Sequence, residues 1–451
     1  MSILGFDYIK SENRTTDRLR HPDTWLYCLL VALVPNMLFL LLAPWFMVRR
    51  VYGSGLYLIA AVLALLLPRP FAYPLFLLAA AIDGFLIICL AFGMPFDLAF
   101  ASLPFMTEVD VGASLLYSAG IIGLFSLAML GAYLINRYRE RLRNASLLPA
   151  IAAVVGMVFL DLATNEHRPG IPETFESALL QSAMTSDAII SNDRNVLLVL
   201  VEGMGSFADP RERDILESKL RNAAGTRFRL THGVNRHHGS TTGAISRELC
   251  GKWGSFRTYL DGKRHDCLPS RLASAGFETI SYDAFSGDLF LMRDWYPRIG
   301  MKTLNFREEM ERDAPGVAGR LCGTALVGLC DEEVGKLVHR ELATAGGERK
   351  FVFWLTLDSH LPYTAPENGP LRCGKAEAVI ADRIPCDLTE IWSSVFDRVA
   401  AIATDPKTAP LDIMVVGDHS TPMWSRAAAS HFRTEFIDWY HLEYVGEPTL
   451  G

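Results

Sequence analysis

Acid and imidazole side chains stand directly after three apolar runs of strand length. They are Glu202, His360 and the adjacent pair Asp418 and His419. In an open α/β sheet, groups that follow the carboxyl ends of strands converge at one edge. Carboxylate oxygens and imidazole nitrogens together form the kind of ligand set that holds a divalent cation. Each residue alone would more often be a solvated loop residue, so it is their coincidence at strand ends that predicts a metal site.

A hydroxyl-rich segment, His237–Ser246, precedes a helical pattern and offers Thr241 and Thr242 as attacking groups. A hydroxyl at a helix N-terminus beside a metal ion is doubly favoured, because the cation stabilises the alkoxide and the free backbone N–H groups bind phosphate oxygens. This arrangement suits phosphoryl transfer. The alternative is an ordinary helix N-cap, a position at which Ser and Thr are common.

The residues that must position these groups form a pattern of alternating strands and helices. Runs that are apolar on both faces are typical of parallel strands buried beneath helices. Helical patterns such as Arg213–Ala223 and Cys386–Ala403 fill the gaps between them. The pattern predicts an α/β domain over residues 195–451 with a largely parallel sheet. Its strand candidates are Asn195–Val201, Phe277–Tyr282, Phe351–Leu357 and Leu411–Val416.

The N-terminal part of the chain has a different character, with long runs that carry almost no charge. A bilayer core of about 30 Å requires roughly 20 helical residues, since each adds about 1.5 Å. Five such runs predict a transmembrane domain over residues 1–162, followed by a connector over 163–194. A helical pattern at Thr174–Ile190 would either lie on the membrane surface or pack as an ordinary helix. The runs are Thr24–Val48, Val51–Pro68, Phe71–Phe96, Val111–Asn136 and Asn144–Leu160.

Basic residues indicate the orientation in the membrane, because short cytoplasmic loops are enriched in Lys and Arg. The basic segment Arg137–Arg143 lies between the fourth and fifth runs, and the N-terminal tail is also basic. Both would be cytoplasmic, which puts everything after the fifth run outside. Arg49 and Arg50 oppose this orientation. Asp83 is ionisable at membrane depth and is therefore a functional candidate, or else it pairs within the bundle with Asn36 or a backbone group.

Charge and cysteine content restrict the function further. Lys and Arg number 43 against 50 Asp and Glu, and this net charge of −7 argues against nucleic-acid binding, which needs a basic excess. Six of the 8 cysteines lie in the C-terminal domain, where an oxidising compartment would favour disulfides. Proximity in sequence favours the pairs Cys250–Cys267, Cys322–Cys330 and Cys373–Cys386.

The complete pattern resembles the alkaline phosphatase and sulfatase superfamily. The resemblance lies in a Glu after the first strand, a Thr about forty residues later, a His in a Ser-His-x-Pro context, and a late Gly-Asp-His. Within that superfamily, the chain resembles membrane-anchored transferases of the lipoteichoic acid synthase type, which place phosphoethanolamine or phosphoglycerol on envelope glycans and lipids. Those relatives also have N-terminal spans, a connector and a periplasmic or extracellular catalytic domain. The resemblance therefore covers nearly the whole chain.

The resemblance implies roles for individual residues. His360 would bind the transferred phosphate or exchange protons with the entering and leaving groups. Arg293 would match a phosphate-contacting arginine of the phosphoglycerol branch, and His431 is a further candidate substrate contact. The family pattern prefers Thr241 over Thr242 as the nucleophile. The implied metal ligands are Glu202, Thr241, Asp418 and His419, a mostly oxygen set that fits Zn²⁺ or Mn²⁺.

The implied reaction is metal-dependent transfer of a phospho-alcohol from a phospholipid donor to an envelope glycan or lipid acceptor, through a phospho-threonine intermediate. The protein would be a multi-pass protein of the bacterial inner membrane, with its catalytic domain on the periplasmic or extracellular side. The segment Asp358–Tyr363 is nearer to the phosphoglycerol branch, whereas Cys250 is nearer to the phosphoethanolamine branch, so the head group stays open. The alternatives are a phosphodiesterase or phosphatase that uses water, and a non-catalytic partner in envelope-polymer assembly.

Overall fold

A computed structural model describes residues 21–92, 96, 99–100, 115–165, 171–316, 319–324, 326–344, 346–364 and 366–446. The chain forms two compact units, of which the first comprises residues 1–94 and 114–167. The second comprises residues 95–113 and 168–451. The basic N-terminal tail and parts of two predicted spans, at 93–95 and 111–114, lie outside the described residues.

The first unit is built from apolar helices. Among the described residues, two helical segments are long and apolar enough to cross a membrane, Arg69–Leu90 and Ser118–Arg137. Three further apolar helices are shorter, at Pro22–Leu33, Gly53–Leu66 and Leu148–Thr164. Each predicted span contains helix, and the number of five crossings stays a prediction. The helices are α1 (Pro22–Cys28), continued by a π-helix at Leu29–Leu33, then α2 (Met37–Leu42), α3 (Gly53–Leu66), α4 (Ala72–Phe92), α5 (Leu115–Arg137), α6 (Arg139–Leu142) and α7 (Leu148–Thr164), with a 3₁₀ turn at Arg69–Phe71.

A buried polar cluster lies inside this first unit. Asp83 is 1% exposed and forms an ion pair with Arg50, which is 7% exposed. The Arg50 Nη1 also donates to the Asn36 Oδ1 at 2.8 Å. The partner of Asp83 is therefore Arg50, and Asn36 binds the other side of the same guanidinium. Because the charge of Arg50 is neutralised within the bundle, only Arg49 of the two arginines still opposes the predicted orientation as a loop charge.

The second unit is an α/β domain. Its helices are α8 (Ala178–Gln181), α9 (Ser186–Asn192), α10 (Pro210–Ala224), α11 (Thr241–Cys250), α12 (Leu268–Ser274), α13 (Met292–Ile299), α14 (Arg307–Asp313), α15 (Asp331–Ala343), α16 (Arg383–Thr404) and α17 (Arg426–Ala429), with 3₁₀ turns at Phe256–Tyr259, Leu289–Leu291 and Pro406–Thr408. Its strands are β1 (Asn195–Val201), β2 (Ser206–Phe207), β3 (Phe228–Arg236), β4 (Glu278–Asp283), β5 (Thr303–Asn305), β6 (Leu321–Cys322), β7 (Gly328–Leu329), β8 (Lys350–Leu355), β9 (Leu411–Gly417), β10 (Phe432–Arg433) and β11 (Phe436–Tyr444).

The main sheet has seven strands in the order β3-β11-β9-β1-β8-β4-β5. The run from β9 to β5 is parallel throughout, and β11 lies antiparallel to both β9 and β3. The prediction of a largely parallel sheet is therefore confirmed. Two short antiparallel pairs, β10 with β2 and β6 with β7, lie apart from it.

The central strands are buried on both faces. All residues of β8 and β9 are buried, and so is β1 from Val196 onwards. Helices α10, α15 and α16 contribute Leu216, Val338 and Trp392 to the cluster on one face. Each fully buried Val or Leu side chain stabilises the fold by about 1.5–3 kcal/mol. The strand ends that lead into the loops are therefore held by a well-packed core.

Part of the predicted connector packs on the second unit. In place of one helix over Thr174–Ile190, the chain forms the short helices α8 and α9, separated at Ala183, whose φ is 57°. The N–H of Arg236 donates to Glu176 Oε2 at 2.8 Å. Trp439 Nε1 donates to Gln181 Oε1 at 2.9 Å. The single helix is therefore wrong, whereas the contacts favour packing of this segment against the α/β domain.

The three predicted disulfides are confirmed. Cys250 is bonded to Cys267, Cys322 to Cys330, and Cys373 to Cys386. Among the described residues, Cys28 and Cys89 of the first unit are free.

The Cys250–Cys267 bond closes a loop with a sequence separation of 17, directly after α11. Replacing both cysteines by Ser should lower the free energy of unfolding of the second unit by about 3 kcal/mol, because the unfolded chain regains the entropy of the open loop. Urea denaturation of the full chain in detergent measures this loss. The control is Cys28→Ser, which removes a free thiol and should leave the transition in place. Equal midpoints for the double variant and the unmodified protein would contradict the prediction.

Candidate metal centre

Two neighbouring parallel strands deliver the carboxylates of the site. Strands β1 and β9 are paired in register, with Val201 opposite Gly417. Glu202 and Asp418 are the next residues on each strand, so they leave the sheet at the same level and side by side. The close pairing of the two backbones brings the carboxylates together even though burial and like charge oppose it.

Four of the predicted site residues lie together at this edge. Thr241 Oγ1 lies 2.9 Å from Asp418 Oδ2 and 3.2 Å from Glu202 Oε2. His419 Nε2 lies 3.3 Å from Asp418 Oδ2 and 3.6 Å from Glu202 Oε1. The ligand atoms of Glu202, Asp418 and His419 all lie within 4.8 Å of one another. This spacing suits one cation held between them.

The backbone fixes the orientation of Asp418. Its Oδ1 accepts the N–H of Gly203 at 2.7 Å and the N–H of His419 at 2.6 Å. Its Oδ2 is consequently turned towards Thr241 and His419. Gly203 has a φ of 63°, a left-handed conformation that favours glycine and lets its N–H face the carboxylate.

Hydrogen bonds also hold the backbone of Glu202. Its N–H donates to Thr356 Oγ1 at 3.0 Å, and its carbonyl accepts from Ser359 Oγ at 2.6 Å and from Trp392 Nε1 at 3.2 Å. Thr356 and Ser359 follow β8 at the same sheet edge as His360, and sequence reasoning missed them. Their position as hydroxyls after a buried strand is the signal that could have identified them.

The imidazole of His419 presents its Nε2 to two carboxylates. Its Nδ1 lies 3.1 Å from the carbonyl oxygen of Ser420, which can only accept, so Nδ1 carries the proton. Its other ring nitrogen, Nε2, faces Glu202 and Asp418. When Nε2 is unprotonated, its lone pair is available to a cation between the two carboxylates, as in metal sites whose histidine is oriented by its other nitrogen.

The electrostatics of the carboxylates also fit a cation. Burial, and after it the negative charge of Asp418, raises the pKa of Glu202 well above its usual range. Two buried carboxylates without a counter-charge are costly, because each loses its hydration and repels the other. The donor set of Glu202, Asp418 and His419, with the Thr241 hydroxyl beside it, therefore fits a divalent cation.

The structure distinguishes the two threonines. Thr241 is the first residue of α11 and its hydroxyl contacts both carboxylates. Thr242 is 1% exposed, and its hydroxyl lies 3.5 Å from Ser240 Oγ. The N-cap position belongs to Ser240, so an ordinary capping role does not account for Thr241.

His360 follows β8, the neighbour of β1 on the other side from β9. Burial, reinforced by the charge of His419, lowers the pKa of His360 to about 4. Asp418 acts in the opposite direction, which shows that both residues lie within electrostatic range of this imidazole. At neutral pH the ring is therefore uncharged.

This shift predicts a pH dependence of stability. The folded pKa of His360 lies below the ordinary value of 6.5, so its contribution to stability is present above pH 6.5 and is lost as the pH falls towards 4. Unmodified protein treated with a chelator should therefore lose stability more steeply, as the pH falls from 6.5 towards 4, than the His360→Gln variant treated in the same way. Urea midpoints of both proteins, measured across this window, test the prediction. Parallel curves would contradict it.

Two further predicted residues have acids as neighbours. The Arg293 guanidinium forms an ion pair with Glu309 and lies 3.1 Å from Glu308. His431 Nδ1 lies 2.8 Å from Glu212 Oε1. The contacts described above for the four clustered side chains include neither Arg293 nor His431. Their roles as substrate contacts stay predictions.

A second group of potential ligands lies in the described part of the second unit. The sulfurs of Cys322 and Cys330 and a carboxylate oxygen of Asp358 are close enough to share an ion. The two sulfurs are bonded to each other in a disulfide, so they cannot act as thiolate ligands. The group at Glu202, Asp418 and His419 is therefore the better candidate of the two.

No model of a protein family matches the chain, and no curated protein sequence matches it. Several solved structures, however, match part of the chain. The lipoteichoic acid synthase LtaP from Listeria monocytogenes matches with a TM-score of 0.42 and 12% identity, over 57% of this chain and 67% of LtaP. The phosphoglycerol transferase GacH from Streptococcus pyogenes, in complex with sn-glycerol-1-phosphate, matches with a TM-score of 0.40 and 14% identity, over 60% of this chain and 76% of GacH.

A third similar structure comes from Vibrio parahaemolyticus and belongs to the alkaline phosphatase superfamily. It matches with a TM-score of 0.41 and 15% identity, over 56% of this chain and 61% of its own.

Proposed function

We propose that the protein is a metal-dependent transferase that moves a phospho-alcohol, phosphoethanolamine or phosphoglycerol, from a membrane phospholipid to an envelope glycan or lipid. The observation that carries the proposal is the position of the Thr241 hydroxyl. It stands at the N-terminus of α11 and within hydrogen-bonding distance of two buried carboxylates that share a cation-sized space with His419.

In the first step, Thr241 Oγ attacks the phosphorus of the donor phosphodiester. The bond from phosphorus to the diacylglycerol oxygen breaks, and diacylglycerol leaves with a proton. A divalent cation bound by Glu202, Asp418 and His419 would favour the ionised form of the Thr241 hydroxyl and offset charge on the phosphate. The first N–H groups of α11 have no partner within the helix and are available to the phosphate oxygens. The product is a phospho-threonine ester that retains the head-group alcohol.

In the second step, an acceptor hydroxyl attacks the same phosphorus and the bond to Thr241 breaks. The hydroxyl of Thr241 is restored, and the head-group phosphate is joined to the acceptor. His360, which follows β8 at the same sheet edge, would bind the transferred phosphate or exchange protons with the entering and leaving groups. Two successive displacements allow one site to serve donor and acceptor in turn.

The proposed location is a bacterial inner membrane, with a multi-pass anchor and the catalytic domain on the periplasmic or extracellular side. The apolar helices of the first unit support the anchor, and a membrane-resident donor gives the anchor a purpose. The three disulfides of the second unit support an oxidising compartment, since such bonds rarely persist in the cytoplasm.

Turnover of defined lipids tests the proposal. Full-length protein with Mn²⁺ or Zn²⁺ is incubated with vesicles of phosphatidylethanolamine or of phosphatidylglycerol, together with an oligosaccharide acceptor. Diacylglycerol release with head-group phosphate on the acceptor supports transfer, and the lipid consumed identifies the head group. Release of free head-group phosphate with an unmodified acceptor would support a phosphodiesterase instead. Metal-loaded protein that releases no diacylglycerol from either lipid would contradict the proposal.

A further inference from the structure

Helix α11 carries a fully buried guanidinium. Arg247 is 0% exposed, although arginine is almost never completely buried without partners. A charge in that position costs free energy unless its donors are all engaged. The contacts of Arg247 therefore indicate why it is there.

Two of these contacts are with the end of strand β9. Arg247 Nη2 donates to the carbonyl oxygen of Gly417 at 2.9 Å, and Nη1 donates to the carbonyl oxygen of Asp418 at 3.0 Å. The planar guanidinium thus donates hydrogen bonds to two successive carbonyls of the segment that supplies Asp418 and His419. A guanidinium holds such a pair in a rigid fork, which an ammonium group cannot reproduce.

The third contact neutralises the charge. Arg247 Nε donates to Glu248 Oε1 at 2.6 Å, and the Glu248 carboxylate also accepts the N–H groups of Ala178 and Leu179, both at 3.3 Å. The pair therefore carries no net charge, and what distinguishes Arg247 is the geometry of its contacts with the end of β9.

The geometry gives α11 two attachments to the same segment. Thr241 Oγ1 contacts Asp418 Oδ2 at the start of the helix, and Arg247 grips the backbone of Gly417 and Asp418 further along. The two residues lie six positions apart on the helix, which corresponds to a rise of about 9 Å. One attachment would allow the helix to pivot about it, whereas a second attachment further along the helix restricts that motion.

We infer that Arg247 is a positioning residue that sets the distance between the Thr241 hydroxyl and the metal ligands on the β9 loop. The inference rests on the proposed function, because the centre it positions is the proposed active site. Glu248 holds the arginine in place and ties residues 178–179 to the same helix.

The Arg247→Lys variant tests this role, because it retains the charge but loses the fork. The full chain in detergent is titrated with Mn²⁺, and kcat and KM are measured for diacylglycerol release from the phospholipid that the unmodified protein consumes. We expect Arg247→Lys to bind Mn²⁺ about 10–100-fold more weakly, as happens when groups that orient metal ligands are lost. We also expect kcat to fall at saturating metal with KM unchanged.

The matched control is Arg194→Met. Arg194 Nη1 lies 3.1 Å from Asp412 Oδ1, so this change breaks an arginine pair at the opposite end of β9. It should lower the unfolding temperature without changing Mn²⁺ affinity. A second variant, Arg247→Met with Glu248→Gln, leaves no unpaired buried charge and should reproduce the loss of affinity if Arg247→Lys folds poorly.

The outcomes separate the inference from the proposed function. Unmodified protein that binds Mn²⁺ while both Arg247 variants bind it equally well and retain kcat would overturn the positioning role and leave the transferase proposal standing. An equal loss of affinity in Arg194→Met would also overturn it, since the effect would then be general destabilisation. Unmodified protein that binds no divalent cation would overturn both.

Discussion

Thr241→Ala should abolish head-group transfer, whereas Thr242→Val should retain it. Loss of a nucleophile that forms a covalent intermediate lowers kcat by at least about 10³-fold. The structure supports this contrast between neighbours, because the Thr241 hydroxyl contacts both carboxylates and the Thr242 hydroxyl lies beside Ser240. Diacylglycerol release from phospholipid vesicles provides the rate.

Mass spectrometry supplies a second readout for the same pair of variants. Protein incubated with phospholipid in the absence of acceptor should gain one head-group phosphate on Thr241. The adduct should be absent from Thr241→Ala and present in Thr242→Val. Thr241→Ser should retain part of the activity, since it keeps the attacking oxygen. An adduct on Thr242, or transfer by Thr241→Ala at the unmodified rate, would refute the assignment.

Glu202→Gln should have opposite effects on the metal-free and the metal-loaded protein. Loss of a direct charged ligand should weaken divalent-cation binding by at least about 10²-fold, because even groups that only orient ligands account for 10–100-fold. In the metal-free protein the same change removes one of two adjacent buried carboxylates, and burial, followed by the charge of Asp418, raises the pKa of Glu202. We therefore expect the free energy of unfolding without metal to rise by about 1–2 kcal/mol.

Thermal unfolding with chelator and with saturating Mn²⁺ measures both effects. The metal should stabilise the unmodified protein, as a ligand of the folded state does, and should stabilise Glu202→Gln far less. The control is Asp412→Asn, which removes a buried carboxylate at the other end of β9 that is paired with Arg194. It should destabilise the metal-free protein. A Glu202→Gln variant that is also less stable without metal would contradict the account of the site.

The strands that could be predicted are those whose signal is local. Strand β1 agrees with the predicted run, and β9 differs by one residue, because a buried parallel strand is apolar on both faces. Strand β3 escaped prediction. Its sequence contains polar residues such as Arg229 and Thr231, since it lies at the edge of the sheet and needs only partial burial. Its pairing with β11 depends on a partner far along the chain.

The same distinction applies to the site. The acids and histidines could be found because each stands at the end of a recognisable strand. The partners of Arg50 and Arg247 could not, because an arginine in a helix or loop gives no local sign of the buried group that it will meet. Asp83 lies 33 residues from Arg50, and the carbonyl of Asp418 lies 171 residues from Arg247. Only the folded structure brings these groups together.

The register of β1 with β9 also dictates when the centre can form. Gly203 and Asp418 are separated by 215 residues, and their hydrogen bond helps to shape the cluster. A nascent chain therefore holds isolated ligands that bind cations weakly until β9 joins the sheet, a late event for contacts so distant in sequence. For a metal-dependent enzyme in the proposed location, metal acquisition would then follow translocation and folding, so the ion would be drawn from the compartment in which the domain works.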